Sequence, residues 1–190
     1  ADESTPTIGK RFETINLESN EHNRRAYRDM LFTTEEMEES ISGVIMYDET
    51  IRQSSIEGTP FPRLLEDKGV IPGIKVDLGA KPLPGFEGEL VTEGLDGLRE
   101  RLSEYYQLGA RFAKWRAVIT IGEDLPTYAC VDANAHALAR YSALCQEADI
   151  VPIVEPEILM NGSHTIETSF EVTIDVLMTV FQALSDMDVF

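Results

Sequence analysis

Basic residues are few: 16 lysines and arginines stand against 34 aspartates and glutamates in 190 residues, a net charge of −18. A polyanion such as DNA seeks a basic face, so this shortage argues against a nucleic-acid partner. It leaves room for a small phosphate ligand held by a local cluster of cations, and most of the acidity reads as solubility. Histidine is scarcer still. His22, His136 and His164 have no paired metal-ligand spacing, so no metal site is expected. The two cysteines, Cys130 and Cys145, fall in one expected helix. Their separation there is roughly 22 Å at about 1.5 Å per residue, too far for a bridge. Two plain thiols suit a reducing cytoplasm. No apolar run approaches the about 18 residues of a membrane helix, so no membrane contact is expected. No secretory signal is visible at the start, and there is no internal repeat or low-complexity stretch.

What is present is an alternation of strand and helix patterns. Helices are expected over 21–32, with Asn20 as a cap, and over 59–67, 95–107, 126–148 and 166–185. Strands are expected over 41–47, 74–78, 111–121 and 150–158, with residues 81–93 a Pro- and Gly-bearing loop or small hairpin. The acidic run Glu35–Glu39, interrupted by Met37, reads as a solvated connection. Strands alternating with helices imply parallel pairing and β/α units.

Three of these strands end in charge. Ile150-Val-Pro-Ile-Val-Glu-Pro-Glu-Ile158 is an apolar run closing on Glu155 and Glu157. Phe112-Ala-Lys-Trp-Arg116 carries Lys114 and Arg116, and Gly73-Ile-Lys-Val-Asp77 carries Lys75 and Asp77. A spacing of two on a strand puts both members of each pair on one face. Trp115, between its two cations, then points to the helix layer. Charged strand ends side by side are the pattern of a β/α barrel, whose active sites are built at strand C-termini. On residues alone, Glu155 serves equally as an acid/base group or as the structural ion-pair partner of Lys114, and a lone lysine on a strand is more often a snorkelling surface residue.

These motifs resemble those of class I fructose-1,6-bisphosphate aldolase, the metal-independent lysine Schiff-base family. The likeness extends to Ala1-Asp-Glu-Ser-Thr5, Gly9-Lys10-Arg11, Asn23-Arg24-Arg25-Ala-Tyr-Arg28, Ile41-Ser-Gly-Val44, Asp48-Glu-Thr50, Gly94-Leu-Asp-Gly-Leu98 and Leu138-Ala-Arg-Tyr141, and so covers nearly the whole chain. It implies an α/β fold, a TIM (β/α)8 barrel. Four whole strands with a stub at Ala1–Asp2 make about five β/α units. Residues 1–190 are therefore expected to be one partial barrel domain clipped at both ends. The resemblance implies reversible cleavage of fructose 1,6-bisphosphate to dihydroxyacetone phosphate and glyceraldehyde 3-phosphate in glycolysis and gluconeogenesis, in the cytoplasm, with no cofactor and commonly in a homotetramer.

The roles it implies are specific. Asp2 resembles the carboxylate that accepts the C4 hydroxyl proton during cleavage. Glu155 resembles the acid that expels water when the imine forms, and Glu157 the second carboxylate, which holds the lysines in place. Lys114 is similar to the cation beside the breaking bond. Arg116, Lys75, Lys10 and Arg11 are similar to cations of the phosphate contacts. The imine-forming lysine of the family lies on the sixth strand, expected beyond Phe190, so these 190 residues alone are expected to be inactive. Pro6 departs from the family's small residue, and it is expected to stiffen a phosphate loop and remove an N–H there. The alternative reading is a non-catalytic half-barrel that binds sugar phosphate or oligomerises to close its open edges. A transaldolase-like Schiff-base enzyme fits the Lys-Trp-Arg and Glu-Pro-Glu strings less well.

Overall fold

Helix starts are set where polar side chains take up N–H groups that the helix itself leaves unpaired. Asn20 accepts the Asn23 N–H at 2.9 Å and opens a helix at Glu21. Thr127 and Thr165 do the same for the Cys130 and Thr168 N–H groups, at 3.3 and 3.2 Å. The computed structural model describes residues 1 and 3–190. The chain divides into two compact units, Ala1–Val76 with Ser103–Ala113, and Asp77–Leu102 with Lys114–Phe190.

The first unit contains α1 (Thr5–Glu13), α2 (Glu21–Phe32), α3 (Asp48–Ile51) and α4 (Phe61–Asp67), with strands β1 (Gly43–Met46) and β2 (Ile71–Lys75). The strands pair in parallel, Gly43 opposite Ile71 through Met46 opposite Ile74. Helix α1 is a correction to the sequence reading. Pro6 stands in its first turn, not in a loop, and there its missing N–H costs no hydrogen bond. Ile8 and Phe12 form the buried stripe of α1, and the Phe12 ring meets Tyr27 edge-on at 5.9 Å. Phe32 and Phe61 join α2 to α4 in the same geometry at 5.0 Å.

Strand β2 begins three residues earlier than the pattern suggested. Pro72 donates nothing, yet its carbonyl accepts the Arg111 N–H at 2.9 Å, while the Ile71 N–H reaches the Ser42 carbonyl. Gly73 reads as a strand boundary but is buried inside the strand, because the Phe112 ring lies where a side chain would stand. A Cβ on Gly73 would come within 2.4 Å of Phe112 Cζ. Gly73→Ala is therefore expected to destabilise the fold by about 1–3 kcal/mol through overpacking. Urea unfolding measures it, and Phe112→Leu in the same background should recover part of the loss. An unchanged urea midpoint in Gly73→Ala would show that the ring moves aside freely.

Helix α5 (Leu98–Gln107) starts in the second unit, ends in the first, and is followed by Gly109 at φ +109°. The second unit holds an antiparallel hairpin, β3 (Ala80–Pro82) and β4 (Leu90–Thr92), in the stretch expected to be a loop or hairpin. It also holds β5 (Phe112–Ile119) from Lys114 onward, with β6 (Val151–Ile158) beside it. Helices α6 (Tyr128–Glu147) and α7 (Ile166–Asp186) complete it. Pro126 precedes the Thr127 cap and does not occupy the first helical turn as expected. Trp115 is fully buried against Tyr141 of α6, ring centroids 5.5 Å apart, as the period of two requires. Cys130 and Cys145 are buried on α6 and unbridged. Burial pushes their thiols up to about 11 and about 12, so neither presents a thiolate near neutral pH. Helix α7 leaves Ile166, Phe170, Met178 and Phe181 exposed.

Candidate active site

Strand β5 buries Trp115, Ala117 and Ile119 and turns Lys114 and Arg116 to its other face. Strand β6 presents Glu155 and Glu157 at the matching spacing. Lys114 Nζ lies 3.3 Å from Glu155 Oε2, and Arg116 Nε donates to Glu157 Oε2. Two cations on one strand thus meet two carboxylates on the next, rung by rung. Their environments differ. The Lys114 and Glu155 side chains are 18% and 33% exposed, whereas Arg116 and Glu157 are 43% and 38% exposed. The hydrogen bond with Glu157 raises the Arg116 guanidinium above its already high value, against the effect of burial, and the charges of Glu157, Glu155 and Asp77 add to the rise. Arg116 is a fixed cation. Such a cluster can move a proton through a carboxyl and hold an anionic group.

Asp77 is buried beside this cluster. Its Oδ1 accepts the Gly79 N–H at 3.0 Å and its Oδ2 the Arg116 N–H at 3.4 Å. These bonds turn the chain out after Val76, so β2 stops at Lys75 and not at Leu78 as the pattern suggested. The Arg116 carbonyl accepts from Thr92 Oγ1 at 2.8 Å, and Thr92 is held in turn by Asn134 of α6. Nothing in the local sequence marks Thr92 or Asn134, since an isolated Thr and an isolated Asn carry no periodic signal.

The remaining expected site residues lie in the first unit. Lys75 is the half-buried last residue of β2. Lys10 and Arg11 occupy the last turn of α1, where Arg11 Nη1 sits 2.5 Å from Glu3 Oε1. Asp2 lies outside the described residues. In the same unit Glu49 joins two of the sequence motifs: it accepts from Arg24 and Arg28, each at 2.5 Å. His22 is on α2, His136 on α6 and His164 just ahead of α7. Among the described residues no three of His, Cys, Asp and Glu gather to hold a metal ion. Among the same residues no helix is long and apolar enough to cross a membrane.

The family profile described as class-I fructose-bisphosphate aldolase matches residues 1–190. A protein of Xanthomonas campestris pv. campestris named probable fructose-bisphosphate aldolase class 1 is 62% identical over 188 residues, 99% of this chain and 56% of its own length. A fructose-bisphosphate aldolase of Dictyostelium discoideum is 55% identical over 98% of this chain and 53% of its own. Arabidopsis thaliana fructose-bisphosphate aldolase 6, named as cytosolic, is 54% identical over 98% of this chain and 52% of its own. The structure of fructose-bisphosphate aldolase from Plasmodium falciparum, solved with TRAP and a small-molecule inhibitor, superposes with a TM-score of 0.97 at 49% identity. That match covers all of this chain and 55% of the solved one. The chain thus spans about half the length of the relatives it matches, and its fold is the parallel-strand α/β fold of an incomplete (β/α)8 barrel. By sequence and by fold, the chain belongs to the class I fructose-bisphosphate aldolase family.

Proposed function

We propose that the whole protein is a metal-independent, Schiff-base aldolase that reversibly cleaves fructose 1,6-bisphosphate to dihydroxyacetone phosphate and glyceraldehyde 3-phosphate. The observation that carries this reading is the paired rung Lys114–Glu155 and Arg116–Glu157 on one strand face. Family membership supplies the substrate. A lysine amine adds to the ketone carbonyl, and the carbinolamine hydroxyl leaves as water once it is protonated. Glu155 is the group for that proton, because it is a partly shielded carboxyl on the strand face that also carries Lys114, 3.3 Å away. The C3–C4 bond then breaks as a base takes the C4 hydroxyl proton, the electron pair flowing into the iminium. Asp2 is the base by its match to the family motif. Lys114 faces the charge that develops, Glu157 holds the cations in register, and Arg116, Lys75, Lys10 and Arg11 serve the phosphates. The Arabidopsis relatives named as cytosolic and the two unbridged thiols favour a cytoplasmic enzyme, and family membership favours a homotetramer.

Borohydride tests the chemistry. Hydride delivered to an iminium carbon leaves a stable secondary amine. The whole protein incubated with fructose 1,6-bisphosphate and borohydride is expected to gain one substrate-derived adduct by intact mass and to lose activity, with no effect of a chelator. The adduct is expected on neither Lys75 nor Lys114. Lys114 sits 3.3 Å from Glu155, and an ammonium so held has no lone pair with which to attack a carbonyl. A borohydride-stable adduct mapped to Lys75 or Lys114 would overturn the assignment of roles, and activity abolished by a chelator would overturn the Schiff-base reading.

A further inference from the structure

The stretch from Asp77 to Thr92 leaves the sheet, forms the β3–β4 hairpin and returns. Its base is closed by backbone bonds from the Leu78 N–H to the Glu93 carbonyl at 2.9 Å and from the Glu93 N–H to the Gly79 carbonyl at 3.2 Å. The two ends of this excursion grip one residue. Asp77 accepts the N–H of Arg116, and the Thr92 hydroxyl donates to the carbonyl of Arg116. Thr92 does not stand alone. Its own N–H donates to Asn134 Oδ1 at 3.2 Å, and Asn134 Nδ2 donates to the carbonyls of Leu90 and Cys130, each at 2.9 Å.

Asn134 and Thr92 are both buried. The donor set leaves only one orientation for the Asn134 amide, its oxygen facing an N–H and its nitrogen facing two carbonyls. A buried amide with every bond made is rigid, because losing any one leaves a polar group unpaired out of reach of water. The rigid chain runs from α6 through β4 to the backbone of Arg116. The Arg116 guanidinium, by contrast, is partly exposed and is paired with the Glu157 carboxylate. A phosphate bound by a planar guanidinium needs the fork aimed within about 10–20°. On the reading that Arg116 binds a sugar phosphate, we propose that Thr92 and Asn134 are positioning residues that aim the guanidinium by fixing the backbone from which it projects.

Steady-state kinetics of the whole protein on fructose 1,6-bisphosphate test this with four variants. Arg116→Ala is expected to raise KM roughly 10–100-fold, the worth of a charged hydrogen bond. Thr92→Val removes only the hydroxyl and is expected to raise KM about ten-fold with kcat within about two-fold, the signature of lost ground-state binding. Thr92→Ser keeps the hydroxyl and should restore KM. Adding Thr92→Val to Arg116→Ala should raise KM no further, because the hydroxyl acts only through the arginine. A structural role for Thr92 would lower Tm in both backgrounds and leave KM alone. If Arg116→Ala raises KM and Thr92→Val does not, the positioning role is overturned while the phosphate reading stands. If Arg116→Ala leaves KM unchanged, the phosphate reading falls and the inference with it. Should Thr92→Val fail to fold, Thr92→Ala supports the same comparison.

Discussion

Glu155→Gln, at the carboxyl proposed to carry the proton, is expected to slow turnover of the whole protein by about 10²–10⁴-fold, the usual cost of losing a general acid/base group. Substrate binding should change far less. The amide keeps the shape of the acid and still accepts a hydrogen bond from Lys114, now 3.3 Å from Glu155 Oε2, so the fold of the strand ends should survive. What the amide cannot do is give and recover a proton. The loss should therefore fall on formation and hydrolysis of the imine. Rapid-quench trapping with borohydride would show slow accumulation of the covalent intermediate in Glu155→Gln, while equilibrium binding of a non-reactive bisphosphate stays near wild type. Glu157→Gln is expected to differ in kind, because its partner Arg116 is more exposed and is proposed to bind phosphate, not to move protons. If Glu155→Gln turns over normally, Glu155 is only the ion-pair partner of Lys114.

The second large effect concerns stability. Arg28 is 1% exposed and Arg24 also buried, and both converge on the Glu49 carboxylate at 2.5 Å, a side chain only 23% exposed. Arg24 further donates to the Ser19 carbonyl and Arg28 to the Glu3 carbonyl, so the network ties α2, α3 and the segment leading into α1. Removing one member of such a set strands the others as uncompensated buried charge. Glu49→Ala is expected to cost about 3–5 kcal/mol, read as a shift of the urea midpoint.

The same network predicts acid sensitivity. The Arg24 hydrogen bond, assisted by Arg28, holds the Glu49 carboxyl below its ordinary value of 4.5, against the opposing effect of burial. A carboxyl depressed in the folded state contributes stability that is present above its unfolded pKa and is lost as pH falls through the folded value. Stability of the wild-type protein should therefore fall below about pH 4.5, and Glu49→Gln should flatten that part of the profile. A Glu49→Ala protein with wild-type midpoint and wild-type acid limb would show that the two guanidiniums are solvated after all.

Much of this molecule is legible from spacing. Period two on Lys114-Trp115-Arg116 put the indole toward α6 and the two cations on the other face, and period two on Glu155-Pro156-Glu157 supplied their partners. Asn20 marked the start of α2 because a cap is a local event. Local rules failed where a distant group rewrote the local cost. Gly73 reads as a breaker, but the Phe112 ring makes glycine the residue that fits inside β2. Pro6 reads as a loop residue, but it sits in the one turn of a helix where proline loses nothing. Pro126 reads as a helix start, yet the Thr127 side chain takes the capping role one residue later.

Spacing and matched motifs alone carried the main alternation of strands and helices, though not α1 or α3, together with the faces of the charged strand ends and the family, because each is encoded in neighbours two to four residues apart or in runs of matched motif. What needed the tertiary structure was that Glu157 meets Arg116, not a lysine, and that the backbone of Arg116 is clamped by Asp77 and Thr92. Those contacts join residues 24 to 41 positions apart. No local period records such separations: they exist only once β6 lies beside β5 and the hairpin has closed on its base.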